Sequence, residues 1–415
     1  MIRKQAAFQI MKSTADRVIS AKGIAMTEYF QKSIRDIIRI DRIIVVVYFS
    51  ILCLQGCDAS TETKAPTPEN ILLKDFKPVS SFKIPVTHIE KAKYPVIDMH
   101  THGRYAKTRG EVDAWVRVMD ETGIEKAIVL TQAHGEEFDE LVDLYSAYPD
   151  RFELWCGFDY TGYDQPEYGP EAVKELVRCY SIGARGVGEV GDKGRGLYYS
   201  KPEGWGMHPD DTRLDPLFKK CAELNMPINL HAGDDIWMYQ EKGVHNDGLM
   251  SGWTFRIDST KKEGMGKFIG REGMIEVLEN TVKRHPENII IACHFGNLTY
   301  DLERIGKMLD TYPNLYVDNS AKYAETSTIP RFASAFYRRY QDRIVFGTDW
   351  VPTAEMNRTA FRILETEDEH FYALGYFDLP LSIGYHWPMY GLGLEKEVLR
   401  KVYRGNALKV LHPPK

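Results

Sequence analysis

Residues 94–102 read YPVIDMHTH, and this short stretch decides the fold that we expect for the chain. The apolar residues after Pro95 predict a buried β-strand, and the strand ends in His100 and His102. Side chains alternate across a strand, so both imidazoles emerge on the same side. Two imidazole nitrogens are thereby placed near a common point, as a bound metal ion requires. Taken alone, the pair is a weak signal, because histidines on strands are frequent.

Further along the chain, short apolar stretches alternate with amphipathic ones. The predicted strands are Val96–His100, Lys126–Thr131, Phe152–Phe158, Ala184–Val190, Pro227–His231, Ile289–His294, Leu315–Asn319 and Ile344–Asp349. The predicted helices are Glu111–Thr122, Glu136–Tyr148, Pro170–Ser181, Leu214–Leu224, Gly273–His285, Leu302–Thr311, Ile329–Tyr340 and a helical tail that ends with Glu395–Leu411. Eight strands, each followed by a helix, predict an α/β protein with a closed (β/α)8 TIM barrel. The alternative is a doubly wound open sheet, which usually has fewer strands and a glycine-rich turn after the first strand, absent here.

Two insertions interrupt this alternation. Gly191–Arg213 follows the fourth predicted strand, and Ala232–Arg271 follows the fifth. Both leave the carboxyl ends of strands, where barrel enzymes place their active sites. The second insertion contains the aromatic residues Trp237, Tyr239, Trp253 and Phe255. We therefore expect long loops after strands 4 and 5, with Trp237 in a lid or substrate wall.

The start of the chain differs in character from the rest. Arg39 and Arg42 precede Ile43–Leu54, an uncharged apolar run of twelve residues. This run is too short to span a bilayer and fits the apolar region of a secretory signal. The alternative is a buried core helix. A polar linker with no hydrophobic period follows at once, which argues against that alternative.

Residues 54–57, LQGC, resemble a bacterial lipobox, in which the cysteine is lipidated. We therefore expect residues 1–57 to be a signal peptide and lipobox leader with Cys57 lipidated. Residues 58–93 would be a linker and N-terminal extension, and residues 94–415 the metal-dependent domain. The expected location is the bacterial cell envelope, where the lipid anchors the protein to a membrane.

Composition and charge narrow the classes of partner. The chain of 415 residues is 43% hydrophobic and 27% charged, which is typical of a globular protein. Its net charge is −6, but residues 1–56 carry +5 from nine Lys/Arg and four Asp/Glu, so the remainder carries −11. A body this acidic repels polyphosphate backbones, so nucleic acid is not an expected partner. A small molecule is the expected substrate, and the sequence does not indicate the oligomeric state.

Polar residues of similar chemistry recur at the ends of the predicted strands. The fifth strand ends in His231, the sixth in His294 and the eighth in Asp349. Buried imidazoles and a buried carboxylate at one barrel mouth are costly unless a cation or hydrogen bonds satisfy them. The sequence therefore predicts a metal site. Histidine and aspartate ligands without thiolate favour one zinc ion, with a second ion or manganese, iron or cobalt as alternatives.

Glu189 on the fourth predicted strand has three open interpretations. It bridges two metal ions together with His231 and His294, or it binds substrate, or it neutralises Arg185 inside the barrel. Strand alternation alone places it on the same side as Arg185.

With these residues the chain resembles the amidohydrolase superfamily, and within it the amidohydrolase-related branch of single-zinc barrels. The motifs that carry the resemblance are DMHTH at 98–102, LHAGD at 230–234, ACHFGN at 292–297, FGTDW at 346–350 and RGNAL at 404–408. The resemblance implies that His100, His102, His231 and Asp349 bind the metal and that His294 is a catalytic electrophile or acid/base. Glu189 departs from the single-zinc pattern and resembles the bridging carboxylate of two-metal relatives.

The resemblance implies hydrolysis of an amide, lactone or ester, with Asp349 as the base that takes a proton from an activated water. The first alternative is a non-oxidative decarboxylase of aromatic or unsaturated acids, in which Arg185, Lys193 and Arg195 bind the carboxylate. A two-metal phosphoesterase and a non-catalytic binding lipoprotein are further alternatives.

Overall fold

The computed structural model describes residues 67–251, 266–350, 352–373 and 384–413. Leu72–Lys415 form one compact unit, which contains the barrel. The predictions for the leader and Cys57, and for Trp253 and Phe255 in the lid, lie outside the described residues.

Ten strands and twelve α-helices lie in the described part of the chain. The strands are β1 Val96–His102, β2 Ile124–Leu130, β3 Phe152–Trp155, β4 Val187–Asp192, β5 Gly196–Leu197, β6 Gly204–Trp205, β7 Ile228–Ala232, β8 Ile290–Ala292, β9 Leu315–Asp318 and β10 Ile344–Val345. The α-helices are Arg109–Thr122, Gly135–Tyr145, Pro170–Ser181, Asp215–Glu223, Ile236–Tyr239, Gly270–Arg284, Leu302–Thr311, Tyr323–Thr326, Pro330–Arg339, Ala354–Glu365, Lys396–Arg400 and Asn406–Leu411.

Eight of the strands form a parallel ring. One sheet has the order β1-β2-β3, and the other has the order β10-β9-β8-β7-β4 with the small antiparallel strands β5 and β6 at its edge. Backbone hydrogen bonds join the two sheets on both sides. Cys156 N donates to Gly186 O at 3.0 Å next to β3 and β4, and Met99 N donates to Phe346 O at 2.8 Å next to β1 and β10. The predicted (β/α)8 TIM barrel is therefore confirmed.

Alternation along the strands divides the apolar residues into two clusters. Val129 and Ile290 belong to the large core between the strands and the surrounding helices. The next residue on each strand faces the barrel interior, where a smaller cluster includes Ile128 and Ile291. Ala407, on the last helix, also packs into this inner cluster. The strands are thus buried on both faces, which explains why they appear in the sequence as short continuous apolar runs.

Local sequence signals determine several helix ends. Thr108 and Glu111 form a capping box at the start of Arg109–Thr122, with Thr108 Oγ1 accepting from Glu111 N. The same helix ends at Gly123, whose φ of 89° is readily adopted only by glycine. Pro170 begins Pro170–Ser181, as expected because the N–H group that proline lacks has no intrahelical acceptor at the first helical position.

The fourth strand and the loop after it differ from the prediction. The fourth strand lies at Val187–Asp192 rather than at Ala184–Val190, and its register against β7 shifts between Val187 and Val190. Strict alternation therefore does not hold across this strand. Within the predicted loop after it, β5 and β6 form a small hairpin that the sequence pattern did not indicate, because two-residue strands have no measurable period.

The helical tail predicted after the eighth strand is divided into separate helices. The first is Ala354–Glu365, whose bounds were not predicted and which Thr353 caps by accepting from Met356 N. The helical tail is interrupted by a π-helical turn, Lys401–Gly405, between two short α-helices. Among the described residues, no helix combines the length and the apolar character needed to cross a bilayer.

Candidate metal centre

His100 and His102 at the end of β1 are both buried, with 0% and 2% exposed surface. The register of β1 against β2 shifts between Asp98 and Thr101, so the irregularity includes His100. The Asp98 carboxylate holds this turn, since it accepts from His100 N at 3.1 Å and from Thr348 Oγ1 at 2.7 Å. The end of β1 is thereby fixed against the segment that follows β10.

Asp349 follows β10 and meets the histidines directly. Its Oδ1 accepts from His102 Nε2 at 2.8 Å and lies 3.5 Å from His100 Nε2. Its backbone N donates to His100 O at 2.8 Å, and its φ of 54° lies in the left-handed region. Gly347 makes this approach possible, because a Cβ there would lie 2.7 Å from His100 Cβ. The Asp349 side chain is 20% exposed.

Glu189 on β4 lies at the centre of the imidazoles. Its carboxylate is 3% exposed and accepts from His231 Nδ1 at 2.6 Å and from Gln132 Nε2 at 3.2 Å. Its oxygens also lie 3.8 Å from the Nε2 atoms of His100, His102 and His294. Glu189 is therefore part of the imidazole cluster.

His294 lies just after β8, in a turn with left-handed backbone. Its φ is 58°, and such a conformation in a non-glycine residue costs of order 1–3 kcal/mol and is typical of functional sites. Nδ1 donates to Ser320 O at 3.0 Å, so the other ring nitrogen faces the cluster. Nε2 lies 3.7 Å from Asp349 Oδ2 and 3.8 Å from Glu189 Oε1.

Asp318 at the end of β9 orients two of the histidines. Its fully buried carboxylate accepts from His100 Nδ1 at 2.9 Å and from His294 N at 2.8 Å. Asn229 Nδ2 and Ser320 Oγ donate to it at 3.3 and 2.5 Å. Because Nδ1 of His100 is engaged in this way, Nε2 is the nitrogen directed into the cluster.

The carboxylates and the imidazoles of the cluster shift each other's pKa values. Burial lowers the pKa of His100, but Asp318 and Asp349 outweigh burial and raise it to about 10. Glu189 similarly raises the pKa of His231 to about 9 against the effect of burial. Burial raises the pKa of Asp349, but the charges and hydrogen bonds of the nearby histidines outweigh it and hold that pKa below its usual range. The carboxylates therefore favour positive charge on His100 and His231, whereas burial lowers the pKa of His102.

The donor atoms fit a divalent cation. The ligand atoms of His100, His102 and Asp349 lie within 4.8 Å of one another. A second group, which shares His100, has the same spacing and consists of His100, Glu189, Cys293 and His294. His100 Nε2 is buried and has no hydrogen-bond partner in the described part of the chain. An unsatisfied buried imidazole nitrogen among carboxylates is the environment that a metal ion satisfies.

His231 reaches this cluster through Glu189 and through a second carboxylate. Its Nε2 lies 3.5 Å from Asp234 Oδ1 and, among the described residues, has no partner with hydrogen-bond geometry. Lys193 Nζ forms an ion pair with the same Asp234 oxygen at 2.9 Å. Lys193 is therefore near the cluster, but its charge is already balanced by Asp234.

The structure does not bring all of the predicted substrate-binding residues to the cluster. Arg185 is exposed, donates to Tyr180 O and lies over the Tyr180 ring, because it precedes β4 rather than lying within it. Arg195 donates to Gly266 O and lies over the Phe268 ring. Trp237, which was also predicted to bind substrate, is 9% exposed and packs against Trp387 with ring centroids 6.4 Å apart.

The sequence profile of the amidohydrolase family matches residues 97–412. The chain belongs to the amidohydrolase family. The match begins on β1 and ends in the last helix, so it spans the whole barrel and every residue of the cluster. Among curated proteins, none matches the sequence.

Several solved structures resemble this amidohydrolase at low sequence identity. A dihydroxybenzoic acid decarboxylase from a Polaromonas species, crystallised with manganese and 2-nitroresorcinol, is 18% identical over 77% of this chain and 97% of that chain, with a TM-score of 0.46. A 5-carboxyvanillate decarboxylase from Novosphingobium aromaticivorans, crystallised with manganese, is 16% identical over 79% and 99% of the two chains, with a TM-score of 0.44. A TIM-barrel protein from Bordetella bronchiseptica is 15% identical over 76% and 98%, with a TM-score of 0.43. Likenesses at this level do not decide the activity.

Sequence reasoning missed three residues of this amidohydrolase cluster. Asp318 ends the seventh barrel strand, so the rule that polar residues recur at strand ends identifies it as readily as it identified Asp349. Gln132 follows β2 at a left-handed φ of 59°, a conformation that no sequence motif indicated. Arg104 follows β1 outside any strand-end pattern, and its Nη2 lies 3.9 Å from Asp349 Oδ1.

Proposed function

We propose that this amidohydrolase uses a bound divalent cation to hydrolyse an amide, lactone or ester of a small organic molecule. The observation that carries the proposal is the group formed by His100, His102 and Asp349, whose ligand atoms lie within 4.8 Å of one another at the carboxyl ends of β1 and β10. We propose one zinc ion as the cofactor, with His231 as the further ligand. Imidazole and carboxylate donors suit zinc, and manganese is the alternative to be tested.

His100, His102, His231 and Asp349 would hold the cation, which when bound would polarise a substrate oxygen and make the attacking water more acidic. Asp349 is partly exposed, so we assign it the transfer of a proton from the attacking water to the leaving group. His294 presents Nε2 to the same space, since its Nδ1 is engaged by Ser320, and we assign it proton exchange with the substrate oxygen. Glu189 holds the imidazoles together through its bond to His231.

The test of this proposal compares Asp349→Asn with Asp342→Asn, a control in an exposed ion pair with Lys401. Loss of a positioned acid/base costs about 10²–10⁴-fold in rate, so Asp349→Asn should lose turnover on a panel of lactones, amides and esters. The control should keep its rate. Near-normal rates in Asp349→Asn, with the metal content unchanged, would refute its role as the base.

Metal stoichiometry decides the role of Glu189. We expect one equivalent of metal per chain by elemental analysis of the purified protein, with Glu189 as an organising carboxylate. Two equivalents would instead make Glu189 a bridging ligand, since it lies 3.8 Å from His100, His102 and His294. That result would revive the two-metal phosphoesterase alternative.

Tight ligand binding without turnover in a metal-loaded sample would support the alternative of a non-catalytic binding lipoprotein.

Non-oxidative decarboxylation of an aromatic or unsaturated acid is the second candidate function. The observation that favours it is Arg104, whose side chain is 58% exposed and whose Nη2 lies 3.9 Å from Asp349 Oδ1. A guanidinium at the entrance is placed to hold a substrate carboxylate as a bidentate pair. Release of carbon dioxide from an aromatic acid, without incorporation of oxygen from labelled water, would assign this reaction. Incorporation of that oxygen into a cleaved product would assign hydrolysis.

We also propose that residues 1–57 are a leader that places the protein in the cell envelope, with Cys57 lipidated and residues 58–93 linking it to the domain at 94–415. The support is the sequence pattern at 43–57. Labelled fatty acid should be incorporated into the expressed protein and should be lost in Cys57→Ala. Equal labelling of both proteins would contradict the assignment.

A further inference from the structure

The segment Leu72–Val86, which precedes the barrel, exposes its apolar side chains. Eleven large hydrophobic residues are exposed in the described part of the chain, and five of them lie in these fifteen residues. They are Leu72, Phe76, Val79, Phe82 and Val86, with exposed fractions of 58%, 38%, 87%, 60% and 57%. Apolar side chains scattered singly over a surface need no explanation, but a concentrated stripe is typical of an interaction surface.

Polar atoms hold this segment to the rest of the compact unit. Thr87 donates to the Asp368 carboxylate through N at 2.8 Å and through Oγ1 at 2.6 Å. Ser80 Oγ lies 3.1 Å from His370 Nδ1, and Phe76 O accepts from His386 Nδ1 at 3.2 Å. A segment ordered by the hydrophobic core would direct its apolar side chains inward and its polar groups outward. Here the Phe82 ring packs edge-on against His370, with ring centroids 4.7 Å apart, but Phe82 remains 60% exposed. Leu72, Val79 and Val86 are also more than half exposed.

The charge of the segment differs from that of the chain. Lys74, Lys77 and Lys83 are exposed and are accompanied by a single acid, Asp75, which gives the segment a charge of +2 in a chain of −6. Aromatic and aliphatic side chains alternating with lysines match the interface of an anionic bilayer, where the apolar groups enter the headgroup region and the ammonium groups meet phosphates.

We propose that Leu72–Val86 is a membrane-docking segment that inserts Phe76, Val79 and Phe82 into the surface of an anionic lipid bilayer. The segment begins fifteen residues after Cys57, a span of at most about 50 Å when extended, so it is within reach of a membrane that holds the start of the chain. The docking itself needs no lipid on Cys57 and goes beyond the proposed activity.

Docking also has a consequence for the entrance of the barrel. His386, which contacts the segment, precedes Trp387, and Trp387 packs against Trp237 of the loop after β7. Trp387 Nε1 also donates to Ala324 O in the short helix after β9. The docking segment therefore adjoins the elements at the carboxyl ends of the strands, and docking turns this side of the barrel toward the lipid.

The experiment uses protein without residues 1–57, which lie outside the compact unit. Co-sedimentation is measured with vesicles of phosphatidylcholine alone and of equal phosphatidylglycerol and phosphatidylcholine. We expect binding to the anionic vesicles, weakening as salt rises. The triple variant Phe76→Ser, Val79→Ser, Phe82→Ser should bind at least about tenfold more weakly. A matched control, Val177→Ser with Ile182→Ser, removes exposed apolar side chains elsewhere and should bind as the parent does.

Thermal unfolding and light scattering complete the test. The triple variant should unfold close to the parent temperature, because Phe76, Val79 and Phe82 are 38%, 87% and 60% exposed, although Phe82 gives up its edge contact with His370. Absence of vesicle binding by the parent, or equal binding by the triple variant, overturns the proposal. A parent that is dimeric while the triple variant is monomeric also overturns it and assigns the segment to contact with a second copy. Turnover in vesicle-free buffer should be unchanged in the variant, so failure of the docking proposal leaves the enzymatic proposal standing.

Discussion

Replacing Asp318 by Asn should weaken metal binding without removing any proposed ligand. Asp318 accepts five hydrogen bonds from the site, from His100 Nδ1, His294 N, Asn229 Nδ2 and both N and Oγ of Ser320. The neutral amide keeps the shape but loses the charge that makes His100 basic and fixes its Nδ1–H. Removal of such an orienting carboxylate typically costs 10–100-fold in metal affinity, or roughly 1.4–2.7 kcal/mol.

The assay is competition for zinc between the protein and a chromophoric chelator at constant pH. Asp310→Asn is the matched control, because Asp310 is about half exposed and pairs with Arg339 on the outer surface. It should retain the parent affinity. Circular dichroism and the unfolding temperature establish that Asp318→Asn is folded. A folded Asp318→Asn variant that binds zinc as tightly as the parent would show that Asp318 does not act on a metal through His100.

Three further predictions concern pH and stability. Metal affinity should rise between pH 7 and pH 9, by up to about 100-fold per pH unit, because a metal must displace a proton from both His100 and His231. Nearby carboxylates raise the pKa values of these two imidazoles to about 10 and about 9. Isothermal titration in two buffers measures the proton release, and an affinity that does not change with pH would contradict the prediction. The hydrogen bond from Arg178 lowers the pKa of the Glu175 carboxyl to about 2. The stability that this carboxylate adds to the folded state is therefore complete above about pH 4.5 and is lost as the pH falls toward 2. Glu175→Gln should lower the free energy of unfolding by about 1–2 kcal/mol at pH 7 and progressively less in acid, as urea unfolding at several pH values will show. Phe138→Ala should cost about 3–5 kcal/mol in the same assay, since the ring is fully buried, and a loss below 1 kcal/mol would mean that the core closes around it.

The sequence was sufficient to predict the barrel because each strand is buried on both faces and each helix has one apolar face. Pro170–Ser181 and Leu302–Thr311 have the predicted bounds, since a proline begins the first and Asp301 caps the second. Strand ends were less accurate. The apolar pattern of β4 continues past the register shift at Val187–Val190, which periodicity cannot detect.

The site was predictable where its chemistry falls at strand ends, as for His294 and Asp349. The same reasoning fails for Arg185, because β4 begins only at Val187 and Arg185 therefore lies before the strand and not at the cluster. Residues that act on the site through another group carry no motif of their own. Gln132 is an example, since it reaches Glu189 only through the left-handed turn after β2.

The seam between β1 and β10 has a consequence for synthesis of the protein. His102 and Asp349 face each other across this seam at 2.8 Å, although 247 positions of the chain separate them. A ribosome must therefore deliver nearly the whole barrel before the two side chains can meet. An incomplete nascent chain exposes the histidines of β1 without their carboxylate partner, so capture of the proposed metal ion would belong to the final stage of folding.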